Sequence, residues 1–150
     1  GQLARVMEVL ERAEVGGESN VAGAMHEAAE RLDRRALVVV ISDFFSPIEQ
    51  IRQGLARLRH DRHEVIAIQV VDHDEVVFPF NHWHRFAGME GERAKLCEPA
   101  MIRRAYRENF KNHRERLKES CRMLDVEFHA LQTDWALGEW LMGFLSRRTK

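Results

Sequence analysis

Four oxygen-bearing side chains, Ser19, Asn20, Ser42 and Asp43, stand out for the chemistry they could perform together. Hydroxyl, amide and carboxylate oxygens without nitrogen or sulfur partners are the donor set of a hard cation such as Mg2+. That ion keeps several of its waters and takes one or two carboxylates. Each half of the set also has a purely structural reading. Ser19 or Asn20 can cap the helix beginning just after them, and Ser42-Asp43 can open a turn. The spacing leaves both readings open.

A second group is rich in nitrogen. His82-Trp83-His84 would place both imidazoles on one side of an extended segment, with Asp72, His73 and Asp74 close in sequence. Imidazole with carboxylate suits a transition metal. No His-Glu-x-x-His spacing occurs, however, and plain surface histidines explain the group as simply. His113 falls on an apolar helical stripe, where a hydrogen-bonded core histidine is the expected role. Nucleophilic catalysis has little to work with. There is no phosphate-cradling Gly-rich loop and no Gly-x-Ser-x-Gly elbow. Neither Cys97 nor Cys121 has an evident base. The acidic strand ends, Asp43, Asp72 and Asp74, leave a divalent-metal hydrolase as the enzymatic alternative.

These residues need elements to position them. Ala36–Asp43, reading Ala-Leu-Val-Val-Val-Ile-Ser-Asp, suits a strand buried on both faces of a parallel sheet. Ligands bind just beyond the carboxyl ends of such strands, where Ser42 and Asp43 would sit. Glu64–Val71 reads as a second buried strand running into Asp72, and Val126–Leu131 as a third. Helical periodicity covers residues 2–14, about 20–33, about 48–59 and the long stretch from Pro99 to about Asp125. Thr133-Asp134 is placed as the cap of a final helix. Residues 72–98 have weak periodicity, with Glu75–Phe80 as a short extended piece. Strands alternating with helices predict one α/β domain, with a small mainly parallel sheet near 36–42, 64–71 and 126–131 and helices on both faces.

The bulk numbers agree with one domain: 150 residues suffice for a core, and a net charge of -1 gives no global pull toward nucleic acid or membrane. Two cysteines are too few for a disulfide framework, so reduced thiols in a cytoplasmic protein are expected. No apolar run approaches a bilayer span and no signal peptide is apparent. The chain opens on Gly1-Gln2 with no initiator Met, so a missing upstream segment, with room for a membrane anchor, is expected. The long helix carries eight cationic against three acidic side chains. A solvated face, or a docking face for an acidic protein, is preferred there to a nucleic-acid face, because no stacking aromatics interleave with the charges.

Gly-Gly-Glu-Ser-Asn before a helix, then Leu-Val-Val-Val-Ile-Ser-Asp-Phe, resembles the middle of a von Willebrand factor A-type domain. More specifically, the chain resembles the C-terminal part of the bacterial domain of unknown function 58 family. The likeness extends through Glu75 to Pro79, the Ile102…Tyr106…Phe110…His113…Leu117…Cys121 stripe, and Leu131-Gln-Thr133 leading into Leu137, Leu141, Phe144, Leu145 and Arg147. In A-type domains three loops build a metal-ion-dependent adhesion site. The resemblance maps the second loop's hydroxyl to Ser19 and the third loop's carboxylate to Asp43. The first loop, Asp-x-Ser-x-Ser, would lie upstream of Gly1, so Mg2+ binding by these 150 residues alone is expected to be weak or absent.

The resemblance implies a non-enzymatic protein-interaction module, working beside a MoxR-type AAA+ ATPase in assembly of other complexes. It also implies that the missing first strand would pair beside Ala36–Asp43. Leu37–Ile41 is then an apolar edge, expected to be covered by a second copy of the chain, by the 75–80 segment or by rearranged helices.

Overall fold

The computed structural model describes residues 1–13, 20–86 and 95–148. Three parallel strands form its sheet in the order β1 (Leu37–Ser42), β2 (Glu64–Val71), β5 (Glu127–Gln132). Leu37 lies opposite Glu64 and Ser42 opposite Gln69, while Ile66 pairs with Glu127 and Val71 with Gln132. Helix α1 (Gln2–Arg12) precedes α2 (Val21–Arg31), and α3 (Ile48–His60) links β1 to β2. Between β2 and β5 come α4 (His73–Val77), the antiparallel pair β3 (His84–Phe86) and β4 (Lys95–Cys97), and the 25-residue α5 (Pro99–Met123). The last helix is α6 (Leu137–Arg148). This is the expected α/β, Rossmann-like arrangement with helices on both faces.

One face of the sheet carries the main core. Met25 and Ala29 of α2, Ile51, Leu55 and Leu58 of α3, Leu117 and Cys121 of α5 gather over Val65 and Ala67 of β2. Gly54 sets how closely α2 and α3 approach: a Cβ there would stand 2.6 Å from Met25 Cε and 3.1 Å from Met25 Cβ. Burial pushes the Cys121 thiol up to about 12. The other face is covered by α6, whose Trp140 and Phe144 lie parallel with ring centres 5.6 Å apart and pack on Ile66, Ile68, Val70 and Leu131. Gly143 of that helix has nothing within 4 Å of a Cβ position. Gly143→Ala is therefore expected to stabilise the fold by about 0.5–1 kcal/mol through helix propensity alone. A urea midpoint that does not rise would contradict this.

The strand buried on both faces is β2, not β1. Leu37, Val39 and Ile41 are 53%, 45% and 67% exposed, because α6 covers the β2–β5 half of its face and stops short of β1. Among the described residues β1 pairs with β2 alone, so it is an edge. The 75–80 segment does not cover it. Expected as an extended piece, that segment instead belongs to α4 and the left-handed Phe78 that ends it. Asp72 and Glu75 form a reciprocal capping box, which wins over the β propensity of Val76-Val77-Phe78. Helix α1 has the expected apolar stripe, yet Leu3, Val6, Met7 and Leu10 are all about half exposed or more.

Thr133 and Asp134 do not cap α6, which begins three residues later, at Leu137. They form a turn whose side chains reach β2's end instead. No helix among the described residues is long and apolar enough to cross a membrane.

Candidate functional site

Asp43 sits at the tip of β1, exposed, and its turn is held from several directions. Ser42 Oγ accepts from Phe44 N–H at 2.9 Å and donates to Asp43 Oδ1 at 3.3 Å. Asp43 Oδ1 also accepts from Phe45 N–H at 3.0 Å. These local bonds are those the turn reading anticipated. The backbone of Phe44 is a surprise. It adopts φ 58, the left-handed region that a bulky residue rarely visits, with its ring fully buried. Such a conformation persists only where the surroundings over-determine it.

Those surroundings are two polar side chains from other elements. Gln69, buried on β2, donates from Nε2 to the Asp43 carbonyl at 3.0 Å and accepts from Arg114 Nε at 3.2 Å. His113 Nε2 lies 2.7 Å from the Phe44 carbonyl. His113 is thus hydrogen-bonded, as expected, but it holds the site rather than the core. Its ring and that of Phe110 both lie edge-on to Phe45. Farther back, His63 is buried and its Nδ1 accepts from Ala36 N–H at 3.2 Å, fixing where β1 begins.

A second cluster lies at the ends of β2 and β5. Asp72 Oδ1 accepts from Asp74 N–H and Oδ2 from the Thr133 hydroxyl, each at 2.8 Å. The Asp74 amide first, and then the Thr133 hydroxyl, hold the Asp72 carboxyl below the usual carboxylate range. The ionised form therefore favours the fold at pH values above the ordinary aspartate pKa. That contribution is lost as pH falls through the depressed folded value. Thr133→Val should move the Asp72 pKa back up toward the ordinary range, as followed by carboxyl NMR titration; an unmoved value would refute the assignment. His73 Nδ1 pairs with Asp134 Oδ2 at 3.2 Å.

Of the sequence-derived candidates, Ser42 and Asp43 adjoin one another and Asn20 is a cap, its Oδ1 accepting from Gly23 N–H at 2.8 Å. Ser19 lies outside the described residues, as does the His84 side chain. Among the described residues no three His, Cys, Asp or Glu side chains converge as metal ligands. The roles of Gln69, Phe44 and Thr133 escaped the sequence reading. A lone amide inside Val-Ile-Ala-Ile-Gln-Val-Val was the available signal for Gln69, because a buried amide needs partners.

A parallel sheet with helices on both faces, carrying a fixed carboxylate turn at the carboxyl end of a strand, defines a Rossmann-like α/β domain with its candidate site in the usual place. The chain belongs to the family described as protein of unknown function DUF58, whose sequence pattern matches residues 2–116, from α1 into α5. No curated protein and no solved structure matches it.

Proposed function

We propose that this chain is the C-terminal part of a von Willebrand factor A-like interaction module, non-enzymatic, in which Asp43 is one ligand of a metal-ion-dependent adhesion site. The observation that carries this reading is the over-determined Asp43 turn. Gln69 and His113 reach in from two other elements to fix the carbonyls of Asp43 and Phe44, and the carboxylate is left exposed. That is the arrangement expected of a ligand position held ready for its ion.

The donors fit a hard cation, Mg2+ in this reading, as one share of its sphere: Asp43 gives a carboxylate, Ser42 a neighbouring hydroxyl, and Ser19 is assigned a second hydroxyl. Other donors would come from water and an upstream Asp-x-Ser-x-Ser loop. A bound cation would supply an open coordination position for a partner's carboxylate. The partner in this reading is a MoxR-type AAA+ ATPase, met on the cytoplasmic side of the membrane. The apolar β1 edge serves a second contact, either with the upstream part of the module or with another copy of the chain through Leu37–Ile41.

The test is capture of a purified MoxR-type ATPase by the protein extended upstream, in Mg2+ or Mn2+ and then in EDTA. Capture should need the ion and be lost in Asp43→Ala, with no turnover of p-nitrophenyl phosphate or its diester. Ion-independent capture, or ester hydrolysis abolished by the same substitution, would overturn the reading; the latter would favour a metal-dependent hydrolase.

A further inference from the structure

The longest helix and the second edge of the sheet enclose a groove at the opposite edge from β1, and its Arg114 and Phe110 also support the Asp43 turn. Its main part, 720 Å³, has Phe110 and Phe128 in its floor and Arg107, Lys111, Arg114 and Lys118 along its rim. A smaller cavity of 350 Å³ shares Lys118 and Phe128 and carries the groove on to Arg122. From Arg107 to Arg122 the helix rises about 22 Å at 1.5 Å per residue. That is the length of about seven residues of extended chain.

The rim cations fall at steps of four, three and four, so they share one helical face. Among the described residues Arg107, Lys111 and Lys118 make no ion pair. Arg116, pointing elsewhere, meets Glu49 at 3.7 Å. Beneath the rim runs β5, which pairs only with β2 among the described residues. Thr133 N–H bonds Val71 C=O, so the odd-numbered positions of β5 face β2 and the even ones turn outward. The Ala130 carbonyl, which turns outward, is taken by Trp140 Nε1 at 3.2 Å. The Ala130 N–H and both backbone groups of Phe128 also point outward.

The geometry points to a docking groove for an extended acidic peptide, added as a short strand along β5 with carboxylates at alternate positions facing α5. Alternate side chains on a strand are about 6.6 Å apart, close to the rise of about 6 Å over four helical residues that separates Lys111 from Arg107. Strand addition supplies affinity through the backbone and specificity through alternate side chains. Glu108, Glu115 and Glu119 also line the groove, Glu119 paired with Arg122 at 2.6 Å, which disfavours a continuous phosphodiester backbone. The intervening side chains of the added strand turn to the opposite face of the sheet, where Trp140 lies.

The proposal is independent of Asp43 and can be tested on this chain directly. The probe is a fluorescein-labelled octapeptide alternating Glu with Val, followed by anisotropy at low salt. A Gln-for-Glu version and a labelled single-stranded octathymidylate are the comparisons. The Glu peptide should bind saturably, and K111E/K118E should weaken it about tenfold or more. R34E/R35E, the same charge change in the exposed α2–β1 connection, should leave it within about twofold. Circular dichroism checks that each variant is folded. Absence of saturable binding, equal affinity for the Gln peptide, equal losses in both variants, or tighter binding of the oligonucleotide would each overturn the proposal.

Discussion

Phe44→Ala is expected to cost about 3–5 kcal/mol of folding free energy, the range for emptying a buried aromatic site. The ring is fully buried in the cluster that joins α3 and α5 to the sheet, so its loss opens a cavity in that cluster. The backbone adds a sharper test. At most positions glycine is worse than alanine, because the unfolded chain gains freedom. At φ 58 an L side chain carries a left-handed penalty of about 1–2 kcal/mol, which glycine escapes. Phe44→Gly should therefore be at least as stable as Phe44→Ala by urea denaturation. If glycine is clearly the less stable of the two, the turn is not held as described. Both substitutions should also free Asp43, because Phe44 joins the pinned ring to the pinned carbonyl.

Leu117→Ala should be nearly as damaging, at about 2–5 kcal/mol. Leu117 is fully buried in the C-terminal third of α5, in one cluster with Leu55 and Leu58 of α3 and with Cys121. Close packing on two helices and the sheet leaves little room for collapse into the space vacated. Leu137→Ala, at the exposed start of α6, is the natural comparison: the residue is 60% exposed, and its loss should fall within about 0.5 kcal/mol. Equal losses in the two variants would mean that α5 does not anchor the core.

Much of this architecture was legible in the chain. Glu64–Val71 announced itself as a strand with the bounds it takes, and the Pro99 start of α5 came from proline's place in a helix's first turn. The Leu37–Ile41 edge was legible through family likeness, but its one-sided exposure was not. An unbroken apolar run reads the same whether one face is covered or two. The 75–80 segment went astray on propensity, although Asp72 and Glu75 had the capping-box spacing that decided it. Asp43 was legible as a carboxylate at a strand tip. The devices that hold it were not: Gln69 and His113 lie 26 and 69 residues from the groups they bond, and nothing local marks such pairings. Phe44 offered no signal, since left-handed turns are ordinarily written with glycine or asparagine.

The cysteine sealed between α3, α5 and the sheet has one more use. Thiol chemistry runs through the thiolate, which burial suppresses in Cys121, and no reagent reaches a side chain with 0% exposure. In a Cys97→Ser background, alkylation of the remaining thiol can proceed only when the helices part. Under excess reagent the labelling rate stops depending on reagent concentration and becomes the opening rate itself. A residue with no role in the site thereby serves as a clock for the core that holds the Asp43 turn in place.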